Sequence, residues 1–233
     1  MRLHRFFVTE RLSGRKRIAL SDADLIHQLK RVFRLSAGDQ IVLCDGHGEE
    51  YVCTIELLSA QEIHVRVEES RLVVSPSREV WLCVAIIKKD NFEWVVQKAT
   101  ELGVTHIVPI IALRSEKKSL HMERLLKIAR EASEQSGRGM LPQVHEPMSL
   151  TEALEHPQMP EDKILFHTTG TPLLSAERSE PQPVALFIGP EGGWDEREIE
   201  VCTAHGVRVR TMGEYVLRAE TAATVAPALF LIL

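Results

Sequence analysis

Residues 186–200 read LFIGPEGGWDEREIE, and this stretch restricts the fold most tightly, because a strand end, a glycine turn and a helix start follow one another without a spacer. Leu186, Phe187 and Ile188 form a short apolar run closed by glycine, the pattern of a strand covered on both faces. Gly189, Gly192 and Gly193 let backbone approach whatever lies beyond the strand end, while Pro190 fixes one φ and removes a donor. Asp195, with Glu198 three residues on, is an acid/acid variant of the capping box and marks a helix start. Two readings fit: a loop that holds a ligand, or a bare strand-to-helix turn. The GxGxxG and GxxxxGK[ST] spacings are both absent, so neither a Rossmann dinucleotide site nor a P-loop is expected.

The same alternation governs everything after residue 78. Strand EVWLCVAI leads into an Asp90-capped helix ending at Gly103; strand HIVPII precedes the helix MERLLKIAREASEQS, which stops at Gly137. Strand KILFHT, the run VALFIG with its helix, and VRVRTMG with a last helix from Glu220 complete the series. Such a βαβα succession predicts a mostly parallel sheet with helices on both faces. Ligands of these sheets sit at the carboxyl ends of the strands. Pro227 falls inside the last helix, where it is expected to kink the axis or shift the start.

Residues 1–72 follow a different period. HRFFV, QIVLCD, YVCTIELL and the alternating EIHVRVEE read as short strands, with a hairpin turn at Asp45-Gly46-His47-Gly48. One helix interrupts, opening at Ser21 and placing Leu25, Leu29, Val32 and Phe33 on a face, which suggests a small β-barrel. The Ser/Pro-rich SRLVVSPSR marks the boundary, giving domains at 1–72 and 73–233.

Composition narrows the function classes. The 233 residues, 44% hydrophobic and 26% charged, fit an ordinary globular protein. MRLHRFFV lacks the apolar run of a signal peptide and residues 222–233 are too few to span a bilayer, so a cytoplasmic chain with no membrane partner is expected. Four cysteines form no CxxC pair and the histidines lack zinc spacing, so no metal is expected. The net charge of −5 argues against nucleic acid, yet residues 1–34 hold nine Lys/Arg against three Asp/Glu. A dense basic segment of this kind suits phosphate contacts that position a partner, or is a solvated face.

A second loop, GEYVLRAET at 213–221, follows a strand, carries Arg218 and Glu220 two apart, and runs into a small-residue helix. Alone it is a weak signal, since Glu220 also suits a helix N-terminus and Arg218 a surface ion pair. With the first loop, and with HRFFV, HQLKRVFRLSAGD, KATELGVTHIVP and REASEQSGR in the same order, the chain resembles the SPOUT-class methyltransferases. It resembles most closely the 16S ribosomal RNA uridine-N3 methyltransferases, the RsmE family, nearly end to end. Met212 and Phe33 stand where the family pattern has leucine.

The resemblance implies a PUA-like RNA-binding barrel followed by an α/β domain tied in a deep trefoil knot, dimeric across the cofactor region. It implies that S-adenosylmethionine lies among three loops, carried here by Leu165, His167 and Thr168; by Ile188, Gly189, Pro190, Gly192 and Gly193; and by Met212, Gly213, Tyr215, Val216, Leu217 and Thr221. The substrate implied is 16S rRNA within the 30S subunit, its backbone gripped by Arg5, Arg31, Arg34 and Arg138. Methylating uridine N3 requires removing an imide proton and stabilising the anion, roles assigned to Glu220, with Glu191 as competitor, and to Arg218. N3 lies on the Watson–Crick edge, so the target base must be unpaired or flipped out. Two alternatives are a SPOUT enzyme acting on a ribose 2′-hydroxyl or a transfer RNA, and a non-catalytic RNA-binding assembly factor. The first should lack HQLKRVFRLSAGD and the second has no need of intact LRAET and IGPEGG loops.

Overall fold

A computed structural model describes residues 3–46, 48–74, 76–115 and 119–232. Arg2 of the basic segment and His47 of the expected hairpin turn lie outside the described residues. The chain divides into two compact units: residues 1–75 with 133–141, and residues 76–132 with 142–233. Segment 133–141, which the sequence division assigns to the second domain, therefore packs with the first.

In the first unit, β1 (Arg5–Phe7), β2 (Arg17–Leu20), β3 (Gln40–Cys44), β4 (Glu49–Leu58) and β5 (Ile63–Leu72) form one five-stranded sheet in the order β1-β3-β4-β5-β2. β1 and β3 are parallel and the remaining pairs antiparallel. Alternation on β2 and β4 turns Ile18, Leu20, Tyr51, Cys53 and Ile55 inward onto Phe6, Ile41 and Leu43. Each fully buried Phe, Ile or Leu there contributes roughly 1.5–3 kcal/mol. Between β2 and β3, α1 (Ala23–His27) opens on Asp22, not Ser21: the Asp22 carboxylate accepts from the Asp24 and Leu25 N–H groups. The helix then widens into a π-helical turn over Gln28–Val32. That turn shifts the register of the apolar face, so Leu25 and Leu29 stay buried while Val32 is left 63% exposed.

The second unit contains β6 (Val80–Ala85), α2 (Lys89–Leu102), β7 (His106–Ile111), α3 (Met122–Ser136) up to Ala132, β8 (Gln143–Val144), β9 (Met148–Ser149), α4 (Leu150–Leu154), β10 (Asp162–Pro172), α5 (Ser175–Ser179), β11 (Val184–Ile188), α6 (Glu196–Ala204), β12 (Arg208–Thr211) and α7 (Ala219–Leu231). Its strands run β12-β10-β11-β6-β7-β8, with β9 also on β7, and every pairing is parallel. The central strands are buried end to end, as a sheet covered on both faces requires. Val80, Leu82, Val84, Leu186 and Phe166 face Phe92 and Val96 of α2, Leu125 of α3, and Ala223 and Phe230 of α7. The alternate residues Trp81, Cys83, Leu165 and Phe187 face Leu150 and Leu154 of α4 and Cys202 of α6. Helices thus cover both faces, as the βαβα pattern predicts.

One further helix start differs from expectation, and the last helix contains its proline. α2 begins at Lys89, so Asp90 is a first-turn residue and Lys88, which makes no side-chain cap bond, holds the cap position. α7 runs through Pro227 without ending there; its missing N–H removes one interior bond, and the buried apolar face of Ala219, Ala222, Ala223 and Ala226 keeps the helix docked.

Candidate functional site

The carboxyl ends of β6, β11, β10 and β12 lie side by side, and a cavity of about 540 Å³ opens against them. Three segments line it. Where the pairing of β10 with β12 is interrupted come His167 and Thr168; after β11 come Gly189, Pro190, Glu191, Gly193 and Trp194; after β12 come Met212, Tyr215, Val216, Leu217 and Arg218. Ile188 closes the end of β11, and Glu220, in the first turn of α7, completes this wall. The two loops distant in sequence, IGPEGGW and GEYVLRAET, therefore meet at one place.

Local hydrogen bonds tie the β11 loop to its neighbours. The Gly193 N–H donates to the Pro190 carbonyl at 2.8 Å, and Asp195 and Glu198 form the capping box of α6. Glu198 also accepts from the Leu113 N–H at 2.9 Å, and Arg114 donates to the Gly192 carbonyl at 3.2 Å. Hydrogen bonds donated to the Asp195 carboxylate by the Arg197 side chain first and its backbone N–H second lower that carboxyl to about 2, so the cap stays charged through the neutral range. Of the segment 114–116 that follows β7, Glu116 lies outside the described residues.

Four residues expected at the cofactor do not line the cavity. Leu165 points to the opposite face of the sheet, one residue out of phase with Phe166, and is fully buried against Trp81 and Phe187. Gly192 sits against Arg114, Gly213 bonds locally with Thr211, and Thr221 is exposed on the outer side of α7. Seven others do line it without having been expected there: Lys88, Asn91, Phe166, Trp194, Thr211, Ala219 and Ala222. Lys88 and Asn91 follow β6, so the general rule of ligands at strand ends was the signal for them.

The cavity has an apolar floor and unpaired polar atoms. Phe166, Ile188, Met212 and Leu217 supply the apolar part. Among the described residues, Trp194 Nε1 and Glu220 Oε2 are enclosed and have no hydrogen-bond partner, an arrangement expensive unless something else satisfies them. Arg218 holds the cap position of α7 with its side chain exposed and making no cap bond. Glu191 accepts a long 3.4 Å contact from the Lys88 N–H.

In the first unit, the candidate RNA contacts separate into two kinds. Arg31 and Arg34 are exposed. Arg5 instead is drawn onto the buried carboxylate of Glu50 at 3.1 Å, which Arg71 also reaches at 2.5 Å. Arg138 is half-buried, and burial pushes its guanidinium down to about 10.

A family model described as RNA methyltransferase domain matches residues 74–231, and one described as RNA methyltransferase PUA domain matches residues 20–68. Fold and site thus define an RNA methyltransferase of PUA-plus-α/β build. Similarity extends to curated relatives named ribosomal RNA small subunit methyltransferase E: from Synechocystis sp., 34% identical over 90% of this chain and 71% of the relative, and from Bacillus subtilis, 31% identical over 84% and 83%. A crystal structure of ribosomal RNA small subunit methyltransferase E from Neisseria gonorrhoeae, bound to S-adenosyl methionine, superposes with a TM-score of 0.87 at 28% identity, covering 97% of this chain and 96% of that one. The chain belongs to the ribosomal RNA small subunit methyltransferase E family. Among the described residues no helix is long and apolar enough to cross a membrane.

Proposed function

We propose that the chain binds S-adenosylmethionine in the cavity at the ends of β6, β11, β10 and β12 and methylates N3 of a uridine in 16S rRNA of the small ribosomal subunit. The observation carrying this reading is the meeting of Arg218 and the unpaired Glu220 carboxylate at one cavity with an apolar floor. Its volume of about 540 Å³ lies within the range of small-molecule cofactor sites. Phe166, Ile188, Met212 and Leu217 offer an apolar slot for the adenine, and the enclosed Trp194 N–H offers a donor that protein atoms leave unused.

When bound, the cofactor supplies a methyl group on a positively charged sulfur. Glu220 takes the N3 proton of the uracil, with Glu191 as the competing base. Arg218 stabilises the negative charge that proton removal leaves on the uracil oxygens. The nitrogen lone pair then forms the bond to the methyl carbon as the carbon–sulfur bond breaks. Arg31 and Arg34 grip the RNA backbone. A second copy covers the cofactor loop, a reading supported by the apolar Tyr215 and Val216, 85% and 81% exposed. The C-terminal segment forms a trefoil knot, supported by α7 crossing from edge strand β12 back to β6, β11 and α2.

Single-turnover kinetics of Glu220→Gln and Glu191→Gln at saturating cofactor test the assignment. Loss of a general base is expected to slow methyl transfer by roughly 10²–10⁴-fold in Glu220→Gln. A Glu220→Gln enzyme with near-wild-type turnover beside a crippled Glu191→Gln transfers the role to Glu191.

A further inference from the structure

β10 does not pair smoothly with β12. Phe166 and Thr171 both lie opposite Arg210, so the four residues between them, 167–170, bulge out of the ladder. His167 and Thr168 of that excursion line the cavity, and so does Thr211, the residue after Arg210. Gly170 closes the excursion directly against the Arg210 backbone: a Cβ there would stand 2.4 Å from the Arg210 carbonyl carbon, so only glycine fits. Two of the three cavity loops thus depart from a single residue.

The Arg210 side chain is fastened from both sides. Its Nη1 donates to Thr171 Oγ1 at 2.9 Å, across the neck of the excursion. Its Nε lies 3.0 Å from each oxygen of Glu177, and its Nη2 2.9 Å from Oε1. Glu177, on α5, is 6% exposed and also accepts the Leu174 N–H at 2.9 Å and a hydrogen bond from Arg208. Burial pushes its carboxyl up, but the bonds from Arg210 and Leu174 and the charges of Arg208 and Arg210 outweigh burial and hold it below the usual value. Beside this lies a separate branch of the same network: Asp162 pairs with Arg208 and, at 3.5 Å, with Arg78.

We propose that Arg210, clamped by Glu177 and Thr171, is a positioning residue that sets the His167–Thr168 and Thr211–Met212 loops in their cofactor-binding arrangement. The inference rests on reading the cavity as the S-adenosylmethionine site. The bidentate carboxylate fixes the guanidinium plane, and the Thr171 bond ties the neck of the bulge to it. Without the clamp, the strand ladder still forms through Ile164 and Leu165, but the excursion is no longer pinned at its far end. If the paired arrangement is then populated a tenth of the time, apparent affinity falls about tenfold.

Titration of the full-length protein with S-adenosylmethionine by calorimetry, together with thermal melts and steady-state kinetics, tests this. Thr171→Val and Arg210→Lys are expected to raise the dissociation constant and KM for the cofactor about tenfold, with kcat at saturating cofactor within about twofold of wild type. Asp162→Asn, which cuts the other branch, should lower the melting temperature and leave cofactor affinity unchanged. Wild-type affinity in both Thr171→Val and Arg210→Lys overturns the proposal. So does an Asp162→Asn protein whose affinity falls as far as theirs, since the network would then act only through stability. If wild type itself takes up no S-adenosylmethionine, the cofactor reading fails and the clamp's role fails with it.

Discussion

Gly189 stands where the β11 loop meets the core, and replacing it with alanine measures how little room that junction has. The added Cβ would lie 3.1 Å from both Cδ1 and Nε1 of Trp194 and 3.3 Å from Cε2. Carbon contacts are comfortable at about 3.5–4.0 Å, so three atoms would have to yield by a few tenths of an ångström together. Trp194 is 2% exposed and packed with Leu165, Phe187 and Cys202, which limits how far the indole can recede. Overpacking of this kind costs about 1–3 kcal/mol. In a chain of this length that is a fall in melting temperature of about 2–12 °C. Trp194→Leu removes the atoms that meet the alanine and by itself costs roughly 2–4 kcal/mol as a large-to-small core change. The two changes should therefore couple: urea denaturation followed by circular dichroism is expected to show the double variant at least about 1 kcal/mol more stable than the sum of the singles. Strict additivity, or a Gly189→Ala protein as stable as wild type, would refute the packing argument.

Two further outcomes follow from other parts of the chain. Arg34 adopts φ 54 at the end of the π-helical turn, where the Leu35 N–H closes onto the Leu29 carbonyl at 2.9 Å. A left-handed residue with a side chain costs about 1–2 kcal/mol and glycine returns about 0.5–1 of it as unfolded-chain entropy. Arg34→Gly should therefore gain up to about 1 kcal/mol in urea denaturation while the salt slope of binding to single-stranded RNA shrinks by about one; a destabilised variant contradicts this. His145, 8% exposed, lies 3.1 Å from His106 and beside Trp81 and His156, with Glu79 contacting His106 at 3.5 Å. Burial first, then the charges of His106 and His156, push its imidazole down to about 4. Between about pH 6.5 and 4 the unfolded chain takes up a proton there that the native chain refuses, so stability present at neutral pH is lost as pH falls through that window, on the order of 2–3 kcal/mol. Urea midpoints at pH 7 and 5 should differ less in His145→Gln than in wild type, and equal differences would exclude this cluster as the cause.

Much of this arrangement is legible in the sequence because it is local. The turn IGPEGGW, its capping box at Asp195 and Glu198, and the alternation of strands and helices all depend on neighbours a few residues apart. What escapes is whatever depends on phase or on distant partners. Leu165 looks like a cavity residue because a continuous apolar run hides which face each side chain takes; only the register against β11 decides it. Arg5 reads as a phosphate contact, but its partner Glu50 lies 45 residues away across the β1–β3–β4 sheet. The placement of 133–141 with the first unit likewise rests on Phe7 and Gln28 donating to Glu134, contacts with no local signature. Asp22 displaced Ser21 as the cap because either side chain satisfies the motif and only the backbone φ and ψ choose between them.

The most direct measurement is the chemical identity of the product. Small ribosomal subunits from cells lacking this protein are incubated with it and labelled S-adenosylmethionine, and the RNA is digested and resolved to nucleosides. The account predicts label in N3-methyluridine from 16S rRNA, abolished in Arg218→Ala. Label in a 2′-O-methyl ribose, label in transfer RNA instead, or no transfer to the small subunit would contradict it.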